Sequence, residues 1–119
     1  MANDFIRICT PNVSNSGNST IYAVPAGASS AALESIVIGI TAANKTSSGV
    51  TVDIFIDNED GSNDVYIVKG ASIPAGASLE VMAGNKLVLQ NDGSNADNLE
   101  ALASAANSVD VTVSVLQDV

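Results

Sequence analysis

The sequence predicts an all-β domain: an antiparallel β-sandwich, jelly-roll or immunoglobulin-like, of eight to nine strands. Three observations carry this. Aliphatic residues alternate strictly at Val50, Val52, Ile54 and Ile56, and again at Val109, Val111, Val113 and Val115. Between such runs, clusters of turn-forming residues recur about every ten positions, the spacing of an antiparallel sandwich. One six-residue stretch also occurs twice, as Val24-Pro25-Ala26-Gly27-Ala28-Ser29 and Ile73-Pro74-Ala75-Gly76-Ala77-Ser78. In each copy a β-branched residue closes an apolar run, proline fixes the next φ near about −65°, and the residue before proline is driven to extended geometry. Val24 and Ile73 are therefore expected to end strands, with Gly27 and Gly76 at the fourth position of type I turns in two strand-turn-strand units.

Taken in order, Phe5 to Cys9 is a short strand with apolar side chains on both faces, stopped by Pro11. Thr10 to Ser19 is almost wholly Thr, Pro, Asn, Ser and Gly, with Val13 its only sizeable apolar residue. Such a stretch cannot bury enough surface to fold alone, so it is expected as a long loop or arm whose removal, with residues 2–19, leaves the core folded. Thr20 to Val24 is a strand. In Ala31 to Thr41, Ile36, Ile38 and Ile40 are expected to share one face with Ala32 and Glu34, and Leu33, Val37 and Gly39 the other, which marks a central strand. Val50 to Ile56 pairs with Val65 to Lys69 in a hairpin, with Thr51, Asp53, Phe55 and Asp57 largely wet. Ser78 to Met82 and Lys86 to Gln90 are strands separated by a Gly84-Asn85 turn, and Asn91 to Asn98 is a loop. Leu99 to Ala106 is rich in helix formers, and propensity alone favours a helical turn or two there. The final run, Val109 to Leu116, is a strand.

The 119 residues fit a single domain overall, with residues 1–19 as an N-terminal strand and polar arm and residues 20–119 as the sandwich. Thirteen acids against four bases give a net charge of −9. That charge opposes binding to phosphate backbones and anionic lipids, so neither nucleic acid nor membrane is an expected partner. The N-terminus carries an acid where a secretory leader would carry positive charge, and production in a cytoplasm is expected. The three N-x-S/T sequons at Asn12, Asn18 and Asn44 then read as polar loop composition.

Histidine is absent, which removes the usual general base and the commonest metal ligand. The bases Arg7, Lys45, Lys69 and Lys86 have no nucleophile motif beside them, so no enzyme activity, catalytic residue or cofactor is expected. Cys9 is expected as small core packing. The acidic run Asp57 to Asp64 invites a calcium reading, but Gly61 falls fifth where an EF-hand loop needs glycine sixth, and no glutamate stands twelfth. An ordinary turn is expected, with no metal and a melting temperature indifferent to chelator.

Three stretches together resemble one family: Ile21-Tyr22-Ala23-Val24-Pro25-Ala26-Gly27, Ile73-Pro74-Ala75-Gly76-Ala77-Ser78-Leu79-Glu80, and Ser108-Val109-Asp110-Val111-Thr112-Val113-Ser114-Val115-Leu116. They look like the small all-β virion proteins of tailed bacteriophages, especially those of marine bacteria and cyanobacteria, and the resemblance runs from Thr20 onward. It implies a strand, not a helix, over Leu99 to Ser104. It also implies a structural role in the virion, assembled in the host cytoplasm, most of all as a capsid decoration or cement protein on the outer shell. The partners so implied are the major capsid protein or other virion proteins. A homo-oligomer is expected, a trimer first, because closed cyclic symmetry is usual and would match local threefold axes. The alternative is a tail, neck or fibre component with a receptor- or glycan-binding role. Tyr22 and Tyr66 are the only tyrosines it could use as a platform, and tryptophan is absent.

Overall fold

The computed structural model describes residues 3–57, 64–82 and 86–118. Within them lie nine strands: β1 (Asn3–Thr10), β2 (Ser19–Ala23), β3 (Leu33–Asn44), β4 (Val50–Asp57), β5 (Asp64–Ile73), β6 (Ser78–Glu80), β7 (Leu87–Asn91), β8 (Asn98–Ala103) and β9 (Val109–Asp118). One sheet runs β1-β9-β3, with β6 and β7 sharing the far side of β3. The other runs β2-β8-β4-β5. Every pairing is antiparallel, and the pairs are nested: β4 with β5, then β3 with β6 and β7, then β2 with β8, then β1 with β9. A long hairpin rolled over on itself gives this order, so the sandwich is a jelly roll and not an immunoglobulin arrangement. The core is the facing aliphatic side chains of the two sheets, including Val37, Ile40, Val52, Ile54, Leu89, Leu99, Val111, Val113 and Val115.

The repeated stretch sits at equivalent corners. The first copy links β2 to β3 and the second links β5 to β6, and each link carries the chain from one sheet to the other. The tight type I turns expected with glycine fourth are not what forms. In the second copy Ala77 N–H donates to Pro74 O at 3.0 Å, which places Gly76 third, with φ of 69°, the geometry of a type II turn. In the first, Gly27 is extended, at φ −74° and ψ 179°, and donates its N–H to Ala31 O across the short 3-10 turn Ala28–Ser30. Strand β5 ends at Ile73 as expected, and β2 ends at Ala23, one residue before Val24.

Strand β3 is central, but its faces are not those of uninterrupted alternation. Leu33, Ser35 and Val37 point inward, then Ile40, Ala42 and Asn44 do, because the register against β9 slips between Val37 and Gly39. A bulge contributes one extra residue and turns the following side chains to the opposite face. Ile38, expected beside Ile40, is left 42% exposed on the outside. Phe55, expected wet, is buried, and it lies outside the core cluster on the outer face of its sheet.

Residues 11–18 cross one end of the sandwich. Val13 is fully buried in the core, its N–H donates to Val109 O at 2.9 Å, and Ser14 O accepts from Ala103 N–H at 3.0 Å. Asn12 N–H and Lys45 Nζ both reach Asp110 Oδ1 at 3.0 Å. These donors hold the Asp110 carboxyl below its ordinary pKa, the Asn12 N–H contributing most. The connection is thus pinned at several points rather than free.

At the same end Asn44 is buried. Its Nδ2 donates to Ser48 O at 2.8 Å and Ile73 O at 3.0 Å, and its Oδ1 accepts Thr46 N–H at 2.9 Å. Backbone carbonyls of two loops would lose their donor if it were truncated. Asn44→Ala is expected to cost about 2–3 kcal/mol, because each buried group left unpaired carries its desolvation penalty. A urea titration should show the midpoint falling at unchanged slope, and an unchanged midpoint would refute the clamp.

Candidate functional site

Most inward positions of both sheets are filled by core side chains, which leaves the two outer faces, the edges and the loops open to a partner. On the outer face of the β1-containing sheet, strand register builds a row that no single stretch contains. Phe5 stands opposite Leu116, Leu116 opposite Ile36, and Ile36 opposite Val88, so four apolar side chains cross β1, β9, β3 and β7 in one line. Phe5 is 75% exposed and Val88 56%, and Ile38, thrown outward by the bulge, adds to the same face. Single exposed aliphatics need no explanation, whereas an ordered band on one face marks a contact surface. Beside the band, Arg7 and Cys9 are exposed on β1. The expectation of a core cysteine is overturned: Cys9 falls on the outward set of an edge strand with Phe5 and Arg7.

The outer face of the other sheet is different in kind. There the row is Thr20, Glu100, Phe55 and Tyr66, one residue from each of β2, β8, β4 and β5. Thr20 Oγ1 donates to the buried Glu100 carboxylate at 2.6 Å. The Phe55 and Tyr66 rings lie 5.0 Å apart, and Lys69 Nζ sits 4.4 Å from the Tyr66 centroid while approaching Asp53 Oδ2 at 3.9 Å. The Tyr66 ring is engaged by a neighbouring ring and a cation and is 43% exposed. Tyr22 is buried between the sheets. Its hydroxyl donates to Gln117 Oε1 at 2.7 Å and takes its second bond from Ser35 Oγ at 2.7 Å. Burial pushes this phenol above its ordinary pKa, partly offset by the Ser35 bond.

Among the described residues no group of three or more Cys, Asp or Glu side chains could hold a metal ion, and no helix is long and apolar enough to cross a membrane. The acidic loop considered for calcium lies, at 58–63, outside the described residues, as does the Gly84-Asn85 turn. Of the three sequons, Asn44 is buried and structural, while Asn12 and Asn18 are exposed.

No protein-family model matches the chain, and no curated protein matches it by sequence. Among solved structures, it is similar to a chain in the structure of infectious bursal disease virus, Gx strain. The TM-score is 0.51 at 14% identity, over 97% of this chain and 32% of that one. The likeness is one of fold. A chain of the VP2 subviral particle of the same virus aligns at a TM-score of 0.44 and 15% identity, again over 97% of this chain and 32% of that one. The present chain thus spans about a third of the length of these neighbours. The alignment with the Gx-strain chain takes in nearly every residue of this one.

Proposed function

We propose that the chain is a non-enzymatic virion structural protein, a decoration subunit of the tailed-phage kind that docks on the outside of a capsid as a homo-oligomer. The observation that carries this is the jelly-roll strand order together with a likeness of fold, over 97% of the chain, to a chain in the structure of infectious bursal disease virus. Folds host many functions, so the surfaces must agree with the reading. They do: the apolar band on one sheet is suited to protein contact, and the polar groups of the opposite face are occupied with one another. The fibre or glycan-binding alternative loses support from the burial of Tyr22, which leaves Tyr66 as the one exposed tyrosine.

The test is a cryo-electron microscopy reconstruction of the particle that carries the chain. Density for this sandwich is expected at symmetry-related sites on the shell exterior. Density confined to the tail or neck would transfer the role to the alternative, and particles without the chain would end the structural reading.

A further inference from the structure

Two stacked sheets have four edges, and three of them here are blunted. Strand β2 has five residues and an extra one, Ile21, between its partners Thr20 and Tyr22. The opposite edge of that sheet, β5, slips register twice against β4, carries Gly70 at φ 64°, and spends the Gly70 N–H on Asp53 Oδ1 at 2.6 Å. In the other sheet the edge beyond β3 is split into the three-residue β6 and the five-residue β7. Bulges, breaks and short strands are how sheets avoid pairing with other chains. Strand β1 has none of them. Its eight residues keep unbroken register with β9, and among the described residues no strand pairs with its far side. Its inward residues Ile6 and Ile8 stay only half-buried, where the inward residues Val111, Val113 and Val115 of its neighbour are fully covered.

We infer that β1 is an interaction edge whose partner is β1 of a second copy, joined antiparallel about a two-fold axis through Ile6. Charge favours a copy of the chain at this place: β1 holds one acid, Asp4, and one base, Arg7, so it is neutral in a chain of net charge −9. Two copies can therefore meet along this edge without net like-charge opposition between the strands themselves, and the single acid and base give each strand an opposite charge to offer the other.

Register follows from side-chain parity. Residues directly opposite in an antiparallel pair point to the same face, and a two-fold axis normal to the sheet sets outer face beside outer face. The outward set Phe5, Arg7 and Cys9 must therefore meet the same set. Centring on Arg7 would oppose two like charges, and centring on Phe5 would shorten the ladder to residues 3–7. Centring on Ile6 pairs residues 3–9 and lays each Phe5 against the other copy's Arg7, a cation over an aromatic face. Backbone bonds supply attachment, and the apolar bands of both copies come to lie on one continuous sheet face.

The inference rests on the self-associating part of the proposed function and not on particle binding. The full-length chain is examined by sedimentation velocity and native mass spectrometry. A dimer is expected, tightening as salt screens the net repulsion. Phe5→Lys, at an exposed position, should leave circular dichroism unchanged and weaken the dimer at least about tenfold, since it opposes two cations. In a Cys9→Ser background, Ile6→Cys should form one intermolecular disulfide on oxidation, and Ile8→Cys should not, because only position 6 faces itself. A monomer at all concentrations, a trimer indifferent to Phe5→Lys, or equal cross-linking at positions 6 and 8 would overturn the inference. A trimer that still binds particles would leave the decoration role standing, whereas a β1-dependent dimer that binds none would remove that role and leave the contact.

Discussion

Deleting residues 2–19 is expected to unfold the domain, not to trim it. The composition of 10–19 suggests a dispensable arm, but the deletion removes β1 with all eight of its pairings to β9, and Val13 with its seat in the core. Burying one valine is worth about 1.5–3 kcal/mol, and the partly buried Ile6 and Ile8 add to it. Against these stands a total stability of about 5–15 kcal/mol for a domain. Once β1 is gone, β9, whose inner valines are fully buried, becomes an uncovered edge. The measurement is a thermal melt followed by circular dichroism. A cooperative transition within a few degrees of the full chain would show that the segment is the passive tail its composition suggests.

The second large effect is Val111→Asp. Val111 is buried on the inner face of β9, opposite Thr10 on one side and Ala42 on the other. No base lies among the core residues around it. A carboxylate there must stay unpaired or take up a proton, and either outcome costs several kcal/mol, a large share of the whole stability. The variant is expected to lack a cooperative transition at room temperature. Thr112→Asp, one position along on the exposed outer face, should stay within about 1 kcal/mol of the parent. Similar melts for the two would mean that the faces of β9 are assigned wrongly.

The faces of β9 were legible because nothing interrupts its alternation, and the class of fold followed from that regularity. The failures have separate causes. In β3 a single extra residue near Ile38 reversed the faces, and its one sequence signal was Gly39, a strand-interior glycine of the kind that marks a bulge. For Leu99 to Ala103 propensity alone pointed to a helix, and the strand implied by the resemblance is what forms, as β8. Those residues lie between β2 and β4, where Leu99, Ala101 and Ala103 fill the core, and tertiary pairing outweighs a preference worth tenths of a kcal/mol per residue. Val13 was hidden by its polar neighbours, since composition is averaged over a window and burial is decided by one side chain. The surface row was out of reach for another reason. Phe5, Ile36, Val88 and Leu116 come from four separate stretches, and only the register among strands sets them in line.

The nesting of the strand pairs also governs the order in which the chain can fold. The β4–β5 hairpin closes a short loop, so it can form first and at small entropic cost. Each outer pair must then close a longer one, up to β1 and β9, whose facing residues include Asn3 and Asp118. During synthesis β1 emerges before β9, and among the described residues it has no other strand partner. During that interval the strand that most readily pairs with other chains is open on both sides, and slow closure of distant strands prolongs it. Crowded synthesis should favour either early assembly or misassembly through this strand, and slowing elongation between β1 and β9 should increase both.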